Sequence, residues 1–279
     1  MSGKLPVKRR VFSFLVHFAL FFFLLFFLLP FLWMIITSLQ PRQNVMSVPM
    51  RFGMDNWYIN YTAVLNNPRF VAAFTNTVVI SVCTTVLTLM ISTCAAYAFS
   101  RYSFKGKSFV LFSSYSIQMG PAISFLLPIF LFIRTLGLFD TRTGVVLVGT
   151  TFLVPVAMWI MIGFFSAIPR EMEEAGFIDG CGRLGVFFRI VLPLARPGLI
   201  SAGIVSFVMI WCDLLIPLIL TLIRSVPLTV FTTSFRGMYQ TDYGASAAVS
   251  VIASLPTVIL LLVFRKYLLK GLIEGAIKG

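Results

Sequence analysis

The sequence predicts an all-α membrane protein with six transmembrane helices in one domain and both termini in the cytoplasm. Three observations predict it. The 279 residues are 59% hydrophobic and 11% charged, with a mean hydropathy of +0.98, whereas soluble domains carry roughly 25% charged residues. Six apolar runs each approach or exceed the ~20 residues that a helix needs to cross the hydrocarbon. Lysine and arginine, finally, are shared unevenly among the segments that join those runs.

The first run, 11–38, follows the basic stretch from Lys4 to Arg10, an order also found in secretory signals. It is too long for a signal's apolar region and lacks a small-residue cleavage site, so it reads as a retained helix. Its Phe- and Leu-rich stretch from Phe18 to Phe31 is most simply a lipid-facing surface. The later runs cover 71–99, 108–134, 145–167, 198–221 and 247–264. Prolines stand inside most of them: Pro30, Pro121, Pro128, Pro155, Pro217 and Pro256. Each removes a backbone donor and tends to kink its helix. Irregular backbone at membrane depth is tolerated where protein or a cavity satisfies the freed groups, which favours a transporter or channel over a passive anchor.

The two ends together with 100–107 and 168–197 hold fifteen of the 22 Lys and Arg, and the alternate segments 39–70, 134–144 and 222–246 hold seven. The positive-inside rule therefore places the richer set in the cytoplasm. This gives a cytoplasmic N-terminus over 1–10, a transmembrane domain over 11–264 that includes the cytoplasmic loop 168–197, and a cytoplasmic tail over 265–279. The net charge of +13 has this origin and implies no nucleic-acid partner. Cys83, Cys94, Cys181 and Cys212 form no CxxC pair or ligand cluster, and His17 is the only histidine, so neither a disulfide framework nor a metal site is implied.

The loop 168–197 is the one charged island. It holds four of the nine acidic residues, Glu171, Glu173, Glu174 and Asp179, which are too expensive to place in lipid. Pro169 is placed to open a helix, and the three glutamates that follow suit its dipole. Gly180 and Gly182 allow a turn with positive φ. A second short helix fits 183–192, stopped by Pro193, with Leu184, Val186, Phe187, Phe188, Ile190 and Val191 making it strongly apolar. Composition alone leaves two readings, an amphipathic loop resting on the membrane and an elbow that docks a partner.

The spacing bears on that choice. Glu174-Ala175-Gly176-x-x-Asp179-Gly180, then Ile190-x-Leu192-Pro193 after nine intervening residues, resembles the EAA loop of ABC importer permeases. Asn76-Thr77, the segment Ala95 to Arg101 with Phe104-Lys105-Gly106-Lys107, Leu136-Gly137-Leu138 with Asp140-Thr141, and Trp211-Cys212-Asp213 also resemble segments of that family. The ending Gly271 to Gly279 is similar to the tail of its carbohydrate, maltose-type branch. Gly176, Cys181 and Cys212 depart from the usual pattern, each as a small residue.

The resemblance implies the type I ABC importer permease fold, as the smaller, six-helix permease of a sugar importer in the bacterial plasma (inner) membrane. It implies a second permease as partner, two ATPase subunits, and an external solute-binding protein that delivers the sugar. It implies Glu173, Glu174, Ala175, Gly176, Asp179 and Gly180 as the residues that couple to the ATPase. The chain has no Gly-x-x-x-x-Gly-Lys-Ser/Thr phosphate loop, so ATP and Mg belong to the partner ATPase and this chain binds no cofactor.

Within the membrane the pathway or gate candidates are Asp213, Gln118 and Asn76. Asp213, the only acid in a predicted span, is either such a residue or a buried structural carboxylate. Gln118 either bonds a sugar hydroxyl or bridges helices, and Asn76 is also placed to cap its helix on the external side. From the residues alone an ion-coupled secondary transporter using Asp213 and a non-transporting scaffold stay open. So does an ABC permease for a non-sugar solute.

Overall fold

The computed structural model describes residues 7–45, 47, 53, 56–235 and 242–276. Residues 1–6 of the basic N-terminal stretch, and Lys278 and Gly279 of the tail motif, lie outside the described residues. Among the described residues every regular element is helical. In chain order these are α1 (Val7–Ser38), α2 (Arg42–Val45), α3 (Ile59–Leu65), α4 (Pro68–Arg101), α5 (Lys107–Met119), α6 (Ala122–Thr135), α7 (Arg142–Ala167) and α8 (Glu171–Ile178). Then come α9 (Arg183–Val186), a π-helical turn (Phe187–Val191), α10 (Leu192–Leu194), α11 (Arg196–Trp211), α12 (Leu215–Leu220), α13 (Leu228–Thr233) and α14 (Tyr243–Ala276).

Four of these, α1, α4, α7 and α14, are long and apolar enough to cross a membrane. The helix from Arg183 to Leu194 and α11 form a further pair bent by 73°. The third predicted span is two helices, broken at Gly120 and Pro121, which are both extended with ψ of 148° and 116°. Sterics at a proline disfavour helical geometry in the preceding residue, and glycine adds no resistance. The fifth predicted span is also broken, across Cys212 to Leu214, and Pro217 lies in the first turn of α12, where its missing donor leaves no bond unmade. Pro30, Pro155 and Pro256 instead sit inside continuous helices. Pro193 does not stop the second arm of the loop, which runs on to Leu194 through the π-helical turn.

The chain packs as two units, Met1–Asn67 with Thr232–Ala253, and Pro68–Phe231 with Ser254–Gly279. In the first, Asn60 caps the end of α1, its amide donating to the carbonyls of Ser38 (2.9 Å) and Gln40 (2.8 Å). Ser38 shares a 2.8 Å hydrogen bond with Tyr61. The Phe- and Leu-rich stretch of α1 is exposed along its length.

In the second unit α4, α7 and α11 pack together. Small side chains let their backbones approach, as membrane helices require in the absence of an aqueous driving force. Gly198 illustrates it, since a β-carbon there would lie 2.5 Å from the ring of Phe164. One apolar cluster joins Ile80, Val145, Val148, Leu153, Ile210 and Leu220. Another joins Ala96 of α4, Met161 and Phe165 of α7, and Val186, Phe187 and Val191 from the second arm of the loop.

Candidate functional site

The loop 168–197 is an elbow with an inner and an outer face. Pro169 holds Ile168 extended (ψ 123°), which ends α7, and α8 starts two residues later with Glu171, Glu173 and Glu174 in its first turn. Gly180 has φ +84°. Around it the Cys181 N–H donates to the Gly176 carbonyl at 3.0 Å and the Gly180 N–H to the Phe177 carbonyl at 3.1 Å. These are the two bonds of a Schellman cap. Gly182, by contrast, has φ −70° and needs no glycine-specific conformation. Val186, Phe187 and Val191 bury the second arm, with Ala195 after it.

The coupling residues expected from the sequence divide between the two faces. Glu173 and Gly176, three residues apart on one side of α8, are buried. A β-carbon on Gly176 would lie 2.3 Å from Ile190 Cδ1, so α8 sits directly on the second arm. Glu174, Ala175, Asp179 and Gly180 are exposed. Apolar side chains are exposed around them: Ile178 is 86% accessible and Leu184 74%.

Glu173 closes a network that sequence reasoning missed. Its Oε1 accepts from Arg101 Nε at 2.5 Å and its Oε2 from the Tyr97 hydroxyl at 2.9 Å. Arg101 Nη2 also donates to the Ile168 carbonyl at 2.9 Å. Both charged side chains are less than a tenth exposed, so each needs the other. The Tyr97 ring packs on Phe187 (4.8 Å between centroids) and Phe165 (5.7 Å). The last turn of α4, the end of α7 and the elbow are thereby joined at one point. Arg101 lay inside a motif quoted from the sequence, but nothing local to it specified a partner 72 residues away.

The intramembrane candidates are placed separately. Asp213 lies in the break between α11 and α12, where its Oδ1 accepts from the Leu215 N–H at 3.1 Å and its carbonyl from the Thr229 hydroxyl at 2.8 Å. Its buried Oδ2 has no partner among the described residues. It lines an otherwise apolar cavity of about 260 Å³ with Leu126, Phe152, Ile210 and Ile216. Gln118 donates to the Phe152 carbonyl at 2.5 Å and so ties α5 to α7.

Asn76 is 2% exposed and fully engaged. Its amide donates to the carbonyls of Arg224 (3.1 Å) and Val226 (2.9 Å), and its Oδ1 accepts from Arg142 Nε at 2.7 Å. Thr77 accepts from the Leu228 N–H at 2.8 Å. The loop before α13 is also held by Asp140, a residue with φ +53°. Its carboxylate accepts from the N–H groups of Leu222, Ile223, Arg224 and Ser225 and from the Ser225 hydroxyl. Burial alone would raise the Asp140 pKa, but the backbone donors outweigh it and hold the carboxyl at about 2. Among the described residues no group of three His, Cys, Asp or Glu is placed to hold a metal.

The family model described as binding-protein-dependent transport system inner membrane component matches residues 88–274, which include the whole elbow. The chain is 33% identical over 254 residues to the trehalose transport system permease protein SugB of Mycobacterium tuberculosis, covering 89% of this chain and 91% of that one. It is also 33% identical over 255 residues to the trehalose/maltose transport system permease protein MalG of Thermococcus litoralis, with the same coverage. The diacetylchitobiose uptake system permease protein DasC of Streptomyces coelicolor is 28% identical over 88% of this chain and 90% of its own. In three dimensions the chain is similar to a chain of a bacterial ABC transporter involved in the import of the acidic polysaccharide alginate. The TM-score is 0.81 at 22% identity, over 95% of this chain and 99% of that one.

Proposed function

Because the chain belongs to the family of binding-protein-dependent transport system inner membrane components, we propose that it is a six-crossing permease subunit of an ATP-driven sugar importer. It is a multi-pass membrane protein and a transporter subunit rather than an enzyme. The six crossings are α1, α4, α5 with α6, α7, α11 with α12, and α14. The Lys and Arg distribution supports a cytoplasmic side for both termini and the elbow, in the bacterial inner membrane. A second permease completes the pathway, two ATPase subunits supply ATP and Mg chemistry, and an external binding protein delivers the solute. Relatives named for trehalose, maltose and diacetylchitobiose support a saccharide.

One observation carries the coupling role: the outer face of the elbow exposes Ile178 and Leu184 beside Glu174 and Asp179 while its inner face is buried. Apolar side chains displayed between carboxylates on a rigid turn are a docking surface. Glu174, Ala175, Asp179 and Gly180 contact the ATPase on this reading, and Glu173 and Gly176 hold the elbow in place beneath them. In the membrane Asp213 faces the pathway through its cavity, and Gln118 and Asn76 act as ties between helices.

The test is co-purification of the full chain, expressed with its second permease, with ATPase subunits from the same source, followed by uptake in proteoliposomes. Glu174→Ala and Ile178→Asp should each weaken ATPase capture while the chain still inserts. A wild-type chain that captured no ATPase, or that transported alone, would refute the reading. Binding of a non-saccharide solute by the neighbouring binding protein would refute the sugar.

A further inference from the structure

At one end of α4, Tyr97 and Arg101 grip the elbow through Glu173 and the end of α7 through Ile168. Toward the other end, Asn76 and Thr77 grip the loop before α13 through the carbonyls of Arg224 and Val226 and the N–H of Leu228. The two grips are 25 residues apart, about 37 Å along a helix. The helix between them is uninterrupted. Of the four helices long enough to cross a membrane, α1, α7 and α14 carry interior prolines, whereas α4 has none after its first residue.

Proline-free helix resists local bending because every interior backbone bond is made. A displacement of Glu173 is therefore passed to Arg101 and along α4 with little lost in between. The polar contacts matter here beyond their stabilising effect. Apolar packing permits neighbouring helices to slide, whereas a buried ion pair with a second anchor on Ile168 fixes both distance and direction.

We propose that Arg101, Glu173 and Tyr97 are positioning residues that make α4 a rigid strut, so that motion of the elbow reaches the loop 221–227 and the start of α13 at its far end. This rests on the permease reading above. Arg101 contacts neither ATPase nor solute on that reading, and its part is to keep the elbow and α4 moving as one body. Asn76 and Arg142 complete the far grip, and Asp140 keeps the gripped loop in one conformation.

The test uses the full chain assembled in lipid nanodiscs with its second permease and its ATPases. A nitroxide is attached at Ile223→Cys, an exposed site on the loop, after Cys83, Cys94, Cys181 and Cys212 are replaced by serine. In the otherwise native chain, ATP with Mg should change the mobility of the label. Arg101→Gln complexes should still hydrolyse ATP, lose that change, and transport about tenfold less per ATP, the scale of a typical coupling free energy. Arg101→Lys keeps the charge without the fork that reaches two acceptors, and should fall between. Tyr97→Phe removes one hydroxyl and leaves the ion pair, so it assembles and should lower transport per ATP by about threefold. An undiminished ATP-dependent change at the label, or unchanged transport per ATP, in assembled Arg101→Gln or Tyr97→Phe complexes overturns the strut. Failure of the native chain to recruit any ATPase would sink the permease reading instead.

Discussion

Glu173 and Glu174 are adjacent in sequence and opposite in environment. Glu173 is 7% exposed and bonded through both oxygens, whereas Glu174 is exposed on the outer face of α8. Their substitutions should therefore separate stability from docking. Glu173→Ala leaves the Arg101 guanidinium buried without its carboxylate and should destabilise the chain by about 3–5 kcal/mol, read as a lower unfolding temperature in detergent. Glu174→Ala should leave that temperature unchanged and weaken ATPase capture. Equal melting losses for the two variants would contradict the division of the elbow into faces. Nothing in the sequence orders these two glutamates, because each suits the first turn of a helix equally well and only tertiary packing tells them apart. Asp140 makes a second residue-scale prediction. Its carboxyl lies at about 2, below its usual 3.8, so its contribution to stability is fully present above 3.8 and is lost as pH falls through 2. Hydrogen exchange at Leu222 to Ser225, corrected for the intrinsic pH effect, should be flat from neutral pH to about 4 and rise toward 2. Asp140→Asn tolerates the same left-handed backbone but presents an uncharged amide oxygen to backbone donors, and it should raise exchange in this loop from neutral pH to about 4, with the difference from the native chain closing toward 2.

At the scale of elements, the prolines point to irregular helices but mark only one of the two breaks in the predicted spans. Gly120-Pro121 breaks its span because the glycine offers no resistance to the extended geometry that a proline favours in the residue before it. Pro217 leaves the break several residues upstream at Cys212 to Leu214, because a proline is accommodated in a helix's first turn. Pro30, Pro155 and Pro256 cause no break at all, so the spacing of prolines does not by itself count helices. The elbow was more legible, since Gly180 takes the positive φ that its place after an acidic helix suggests. A glycine inside a helix lowers its propensity, yet the more direct effect of Gly176 is to let Ile190 approach. Gly176→Ala should therefore gain up to ~1 kcal/mol of helix propensity only if Ile190 can move aside. Combined with Ile190→Val, which shortens the obstructing side chain, Gly176→Ala should melt higher than Ile190→Val alone. A double variant that melts lower would show that the second arm cannot yield.

At the scale of the whole molecule, sidedness turns on the broken stretch from Arg196 to Leu220. If α11 and α12 together cross the bilayer, the elbow and the loop 221–227 lie on opposite sides. If the break makes this stretch re-entrant, both lie on the same side, and the count of six crossings and the shared side of the termini fail together. Charge favours the first arrangement, because the segments assigned to the cytoplasm carry fifteen Lys and Arg against seven elsewhere. Ile178 and Ile223 are 86% and 79% exposed and stand at the two places to be compared. In a background with Cys83, Cys94, Cys181 and Cys212 replaced by serine, Ile178→Cys in sealed, right-side-out vesicles should react with an impermeant maleimide only after lysis. Ile223→Cys should react before it. Equal reactivity before lysis would make the Arg196 to Leu220 stretch a re-entrant element, and Glu174 would then face the compartment without ATP. The strut depends on the same outcome, because a helix that carries motion from an ATPase to the far side of the membrane must have its two grips on different faces of the bilayer.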